Sequence, residues 1–153
     1  MKKPKKFSVA PGAIKRENLA TAKVTREACV ACGLYKHCDK PFAYPNIENT
    51  WSHKLLVVGH IQGAASRLLR QLSAKARFTP SDIRVVAPTR CYSNRKPSMT
   101  QLRACRPYLL HLLKRWKPKY VLALGADGFR ALSNKSDGNI TKNRGKPIMV
   151  EGM

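Results

Sequence analysis

Lys54-Leu55-Leu56-Val57-Val58-Gly59 is a short, unbroken apolar run closed by glycine, the form taken by a parallel strand buried on both faces. Two more runs of the same kind follow: Ile83-Arg84-Val85-Val86-Ala87, stopped by Pro88, and Tyr120-Val121-Leu122-Ala123-Leu124-Gly125. Helical periods lie between them. Ala64 to Ala76 carries Leu68, Leu69 and Leu72 at helical spacing, with Arg67, Arg70 and Lys75 among its polar positions. Ser98 to Trp116 carries Leu102, Leu109, Leu110, Leu112 and Leu113, and Pro107 is expected to kink or restart it. Ala126 to Leu132 reads as a short helix, Ser133 to Gly145 as a polar loop, and Lys146-Pro147-Ile148-Met149-Val150 as the start of a fourth strand. Strands alternating with helices predict an α/β fold, a three-layer α/β/α domain around a short, mostly parallel sheet. Ligands of such sheets sit beyond the carboxyl ends of the strands, so function is expected in the loops after Val58, Ala87 and Leu124. One of those loops carries Cys91.

At 153 residues the chain is about one domain, and a hydrophobic content of 43% separates it from disordered basic tails. Residues 1–26 read as a flexible basic arm, with a Pro11-Gly12 break, a single acid (Glu17) and a short helix near Lys15 to Lys23. Residues 27–153 form the folded domain. Thirty Lys and Arg against eight Asp and Glu give a formal charge of +22, an imbalance that points to a nucleic-acid partner. Met1-Lys2-Lys3-Pro4-Lys5-Lys6 has no apolar run behind it and so is not a secretory signal, and no stretch is long enough to cross a membrane. The expected compartment is reducing, cytoplasmic or nucleoid-associated. There, cysteines serve as metal ligands or thiols rather than disulfides.

Four of the five cysteines form two distant pairs, Cys29/Cys32 as a Cys-x-x-Cys and Cys91/Cys105. Four thiolates from two stretches of chain suit a tetrahedral zinc or an iron–sulfur cluster. Cys38, in Lys36-His37-Cys38-Asp39-Lys40, reads as a spare thiol beside that group; the other readings make it a replacement ligand of the group or join it with Cys29, Cys32 and His37 in a zinc knuckle.

Cys105-Arg106-Pro107-Tyr108-Leu109, followed by Lys117-Pro118-Lys119-Tyr120-Val121-Leu122-Ala123-Leu124-Gly125-Ala126, resembles the iron–sulfur uracil-DNA glycosylases (families 4 and 5). Arg90-Cys91 with Asn94-Arg95-Lys96-Pro97, the Cys29/Cys32/Leu34 spacing and Arg144-Gly145 match the same pattern, so the resemblance covers about residues 27–148. It implies a 4Fe–4S cluster on Cys29, Cys32, Cys91 and Cys105, with zinc as the alternative. Several functional positions depart from the family. Where it carries Gly-Glu-Ala-Pro-Gly, whose acidic region helps to position the attacking water, this chain reads Gly59-His60-Ile61-Gln62-Gly63. Its uracil-stacking phenylalanine loop has no counterpart, because Gly63 runs directly into Ala64-Ala65-Ser66-Arg67. Ala87 stands where an asparagine usually reads the uracil edge, and the loop from Cys91 to Asn94 is two residues shorter than usual. The His-Pro-Ser type motif is not reached before Met153.

The resemblance and its departures together imply a catalytically degenerate glycosylase scaffold used to bind DNA, single- or double-stranded. It is expected to be an accessory factor in replication, repair or transcription, and its compactness suggests a viral origin. The expected nucleic-acid contacts are Tyr92, Asn94, Arg95 and Lys96 in the cysteine loop, His60, Arg67, Arg144, and Lys2, Lys3, Lys5 and Lys6 of the arm. Two alternatives stay open: an active uracil-DNA glycosylase using His60 or Gln62, and a structural subunit docking on a polymerase–nucleic acid complex.

Overall fold

The computed structural model describes residues 32–39, 54–61, 63–93, 95–137 and 139–150. The basic arm over residues 1–26, with Lys2, Lys3, Lys5 and Lys6, lies outside the described residues, as do Cys29, Gln62 and Asn94. Three strands, β1 (Leu55–Val58), β2 (Ile83–Val86) and β3 (Tyr120–Ala123), form a parallel sheet in the order β2-β1-β3. Leu55 lies opposite Ile83 and Tyr120, and Val58 opposite Val86 and Ala123. The connecting helices are α1 (Ala64–Lys75), α2 (Met99–Trp116) and α3 (Gly125–Ser133), with a short α4 (Ile140–Asn143) after them. This is the parallel α/β architecture expected from the strand–helix alternation.

Burial explains the strand patterns. β1 is central and all four of its residues are buried, so its sequence is continuously apolar. The outer strands alternate instead: Val86 is buried and Val85 exposed, while Tyr120 and Leu122 are exposed and Val121 and Ala123 half-buried. The two-residue period places Leu56, Val58, Val86, Val121 and Ala123 in one core with Leu102, Leu109, Leu112, Leu113 and Trp116 of α2 and Ala131 and Leu132 of α3.

A capping box starts α2: the Gln101 amide donates to Ser98 Oγ (3.2 Å) and the Ser98 amide to Gln101 Oε1 (2.9 Å). The helix runs through Pro107 without ending there. The ring sacrifices one backbone bond, and the leucine face on either side holds the helix against the sheet. Arg106 is buried beside it; its Nε donates to the Ala131 carbonyl (3.2 Å) and its second guanidinium nitrogen to Leu132 (3.1 Å). These are last-turn carbonyls of α3, which have no partner within their own helix.

Two glycines set how closely α3 and the β3 exit approach β1. A Cβ on Gly59 would stand 2.5 Å from the Leu124 carbonyl oxygen, and one on Gly128 would overlap the Val58 carbonyl. α1 buries Ser73 and half-buries Leu69, but leaves Leu68 and Leu72 more than half exposed.

Two expectations need correction. The polar stretch from Ser133 to Gly145 contains α4, started by the Asn139 side chain accepting from the Lys142 amide (3.1 Å). Lys146–Val150 is not a strand: Ile148 and Val150 pack on the core and Met149 is exposed, so the burial alternates but no ladder with β3 forms. The Lys146 amide turns back to Asn143 (3.3 Å), and Pro147 has no amide hydrogen to give.

Candidate functional site

The three strands open at one end of the sheet. There the Gly59 amide bonds the Val86 carbonyl and the Leu124 amide the Val58 carbonyl, both at 2.9 Å, so the ladder continues one residue past the strands. His60 follows, half-buried, with Nε2 buried and making no hydrogen bond. A buried imidazole nitrogen without a partner is costly unless water or a ligand meets it. Gly63, at a φ of 53°, turns the chain into α1, whose first turn displays Arg67 to solvent at this same end.

The loop after β2 is pinned from inside. Pro88, Thr89, Cys91 and Pro97 are buried, and the Thr89 hydroxyl donates to the Cys91 carbonyl (3.0 Å). The Arg90 guanidinium lies over the buried Tyr108 ring, 4.3 Å from its centroid. Between Cys91 and Pro97, Tyr92, Arg95 and Lys96 are exposed, and the Arg95 amide is fixed to Ser93 Oγ (3.1 Å). An aromatic ring and two cations thus stand exposed on one loop; rings of this kind stack on bases, and such cations pair with phosphates.

The cysteine segments meet here. Leu34 is buried and begins a turn over Leu34–Lys36, and the Asp39 amide then donates to the Tyr92 carbonyl at 3.0 Å. The stretch carrying Cys32 and Cys38 is therefore attached to the loop carrying Cys91, while Cys105 is buried in the first half of α2. Cys38 is half-buried, with Sγ 3.6 Å from the Tyr35 carbonyl. No disulfide joins Cys32, Cys38, Cys91 and Cys105 to one another. Among the described residues no three His, Cys, Asp or Glu side chains converge closely enough to hold a metal ion. The segments carrying Cys32, Cys38 and Cys91 are joined by the Asp39–Tyr92 bond, and thiolates are the donors that zinc and iron–sulfur groups take.

Arg144 enters from a different element. It closes α4, its amide on the Ile140 carbonyl (2.8 Å) and its side chain exposed, beyond the distal end of α3. The sequence reading missed Thr89 and the packing of Arg90 and Arg106. A basic residue among leucines on one helix face, as Arg106 is between Leu102 and Leu109, was the available signal that its charge is buried against carbonyls.

With that geometry in place, the model of the Uracil DNA glycosylase superfamily matches residues 34–150 of the chain. A search of curated proteins gave no match.

Proposed function

The chain belongs to the uracil-DNA glycosylase superfamily, and from that premise we propose that it is a DNA-binding accessory protein whose glycosylase-like scaffold does not excise uracil. Excision needs a flipped base read along its edge, an activated water and stabilisation of the departing anionic base. The loop after β1, Gly59-His60-Ile61-Gln62-Gly63, has no carboxylate to position water, and Ala87 has no group to read a base edge. The nearby carboxylate of Asp127, in the first turn of α3, is engaged by Arg130 at 3.4 Å. Binding draws on a different set: Tyr92, Arg95 and Lys96 on the pinned loop, with Arg67 at the same end of the sheet.

The observation that carries this reading is the Asp39–Tyr92 bond, which fastens the cysteine-bearing turn to the loop carrying Tyr92, Arg95 and Lys96. In this proposal Cys29, Cys32, Cys91 and Cys105 hold a 4Fe–4S cluster, and Cys38 is a bystander. Such a group supplies a covalent cross-link between the segments, and its binding energy adds to folding energy. The test is to assay one preparation for both properties: fluorescence anisotropy with single-stranded and duplex DNA, and release of free uracil from uracil-containing DNA. Binding without release is expected. Uracil release above background overturns the reading.

One observation favours an active enzyme instead. The buried Nε2 of His60, in the loop after β1, makes no hydrogen bond, and in this reading it meets a water or a base carbonyl. Uracil release that disappears in His60→Ala would select this second reading.

A further inference from the structure

At the opposite end of the sheet, where the strands begin, two helices finish and their exits meet. α1 ends at Lys75 and passes through Arg77 to Phe78; α2 ends at Trp116 and passes through Lys117 and Lys119 to Tyr120. The Phe78 and Tyr120 rings meet edge to face, 6.3 Å between centroids. Lys54 leads into β1, and its carbonyl accepts the Tyr120 amide at 2.9 Å. Lys54, Lys75, Arg77, Arg115, Lys117 and Lys119 thus share one end of the domain, all exposed.

Among the described residues, local structure does not neutralise this charge. Each helix C-terminus offers roughly half a negative charge, which accounts for Lys75 and Arg115 in the last turns. The Asp82 carboxylate is engaged by Lys54 at 2.9 Å. Lys117 is the C-cap of α2, and Arg77 and Lys119 lie one and two residues beyond the C-caps; none of the three has a carboxylate partner among the described residues. Arg77 and Lys117 also hold left-handed backbone, with φ of 58° and 44°. Glycine takes that conformation without strain, and asparagine tolerates it, as Asn134 does at the end of α3. A cation therefore stands at two helix exits where its backbone is strained and where the neighbouring cations outnumber the negative charge that the two helix ends and Asp82 supply.

The aromatic part of the surface completes the pattern. Tyr120 is 52% exposed, and the Lys119 ammonium rests 5.5 Å from its ring centroid. An exposed cation–π contact of this kind is weaker than base–aromatic stacking, so a base displaces the ammonium, which is then free to meet the adjoining phosphate.

We propose that this end of the sheet is a second, single-stranded nucleic-acid site, in which Tyr120 stacks on a base and Arg77, Lys117 and Lys119 contact the flanking phosphates. The protein then holds two strand segments at once, one at each end of its sheet. This site is separate from the cysteine-loop surface, so the two stand or fall independently.

The test uses the full chain and a fluorescent oligothymidylate of roughly eight nucleotides, within the span of one such site. Two oligonucleotides per protein are expected. The paired substitution Arg77→Gly and Lys117→Gly relieves the strained backbone, so thermal stability should hold or rise while affinity at one of the two sites falls about tenfold. The log–log salt slope for that site should flatten by roughly 0.7 per cation removed. Tyr120→Leu should weaken the same site with its salt slope unchanged, which separates stacking from charge. Arg95→Gln with Lys96→Gln should leave this site intact. Affinity unchanged in both the glycine pair and Tyr120→Leu, whether one site or two are counted, overturns the proposal; a single site that weakens in Tyr120→Leu upholds it and removes the cysteine-loop surface instead.

Discussion

The amide of Asp39 donates to the carbonyl of Tyr92 at 3.0 Å, joining two segments more than fifty positions apart in the chain. Asp39 follows Cys38, and Tyr92 follows Cys91. The bond does with one backbone contact what shared thiolate ligation would reinforce: it fixes the turn over Leu34–Lys36 against the loop that displays Tyr92, Arg95 and Lys96. Loop geometry at this end of the sheet thus depends on cysteine-bearing segments from both halves of the chain.

Protein purified without oxygen should be brown and contain iron and sulfide. Cys91→Ser or Cys105→Ser should abolish the colour and destabilise the fold, since the energy of binding a structural metal is also folding energy. Cys38→Ser should keep the colour. Elemental analysis decides the metal: stoichiometric zinc without iron would replace the cluster assignment by a zinc site.

The contact between β1 and α3 leaves no room for a side chain. A Cβ at residue 128 would meet the Val58 carbonyl, and one at residue 59 the Leu124 carbonyl. Both obstacles are backbone atoms that cannot rotate away. Gly128→Ala is expected to cost about 2–3 kcal/mol in urea-melt stability, the upper range for overpacking. Gly59→Ala should cost a similar amount, and the double variant less than their sum, because the two sites share one seam.

Arg106 tests the α2–α3 contact. Arg106→Leu keeps most of the apolar stem but leaves the Ala131 and Leu132 carbonyls without their donors. A loss of about 2–4 kcal/mol is expected, from one to two buried acceptors left unsatisfied. Arg106→Lys should recover only part of it, since a single ammonium cannot reproduce the planar two-nitrogen fork.

The β1 run was legible because a central strand buried on both faces has no reason to be anything but apolar. The edge strands were legible for a weaker reason. Val85 and Leu122 are apolar yet exposed, so their hydrophobicity marked strands without saying which face was covered. Ser133 to Gly145 concealed α4, because one turn of helix capped by Asn139 has the composition of a loop. Lys146–Val150 has the alternation of a strand and none of its hydrogen bonds, a distinction that side-chain periodicity cannot carry. At the site, the positions of Cys91, Tyr92, His60 and Arg67 at the carboxyl ends of the strands followed from the topology rule. Thr89 and Arg106 did not, because their role lies in which carbonyl each one meets.

Acid should loosen the entrance to β2. The Thr79 hydroxyl, then Lys54, then the Thr79 amide hold Asp82 down from the usual 3.8 to about 2. A carboxylate with a lowered folded pKa stabilises the protein above its unfolded value and loses that contribution as pH falls through the folded one. Asp82→Asn should therefore be less stable than wild type at neutral pH, and the difference should shrink from about pH 4 to pH 2. Thr79→Ala should shift the acid limb of unfolding more than Lys54→Met, because the threonine hydroxyl is the largest cause. Equal acid limbs in wild type and Asp82→Asn would remove this carboxylate from the stability profile.

DNA affinity should fall steeply with salt, because neutralised phosphates release condensed counterions. If the cysteine-loop surface contributes, Arg95→Ala with Lys96→Ala should weaken binding several-fold and lower the log–log slope by roughly 1.4–1.8 for two lost contacts. The fold should stay intact, since both side chains are exposed and the loop is held by Cys91, Thr89 and Pro97. Deleting residues 1–26 removes eight basic residues and one acid, so it should also weaken binding and flatten the slope. Its effect should add to that of the loop pair if arm and loop touch different phosphates, and fall short of additive if they compete for the same ones. Iron content and thermal stability should be unchanged by either alteration. Should neither change move the affinity or the slope, this surface does not meet DNA, and the charge of +22 serves another partner.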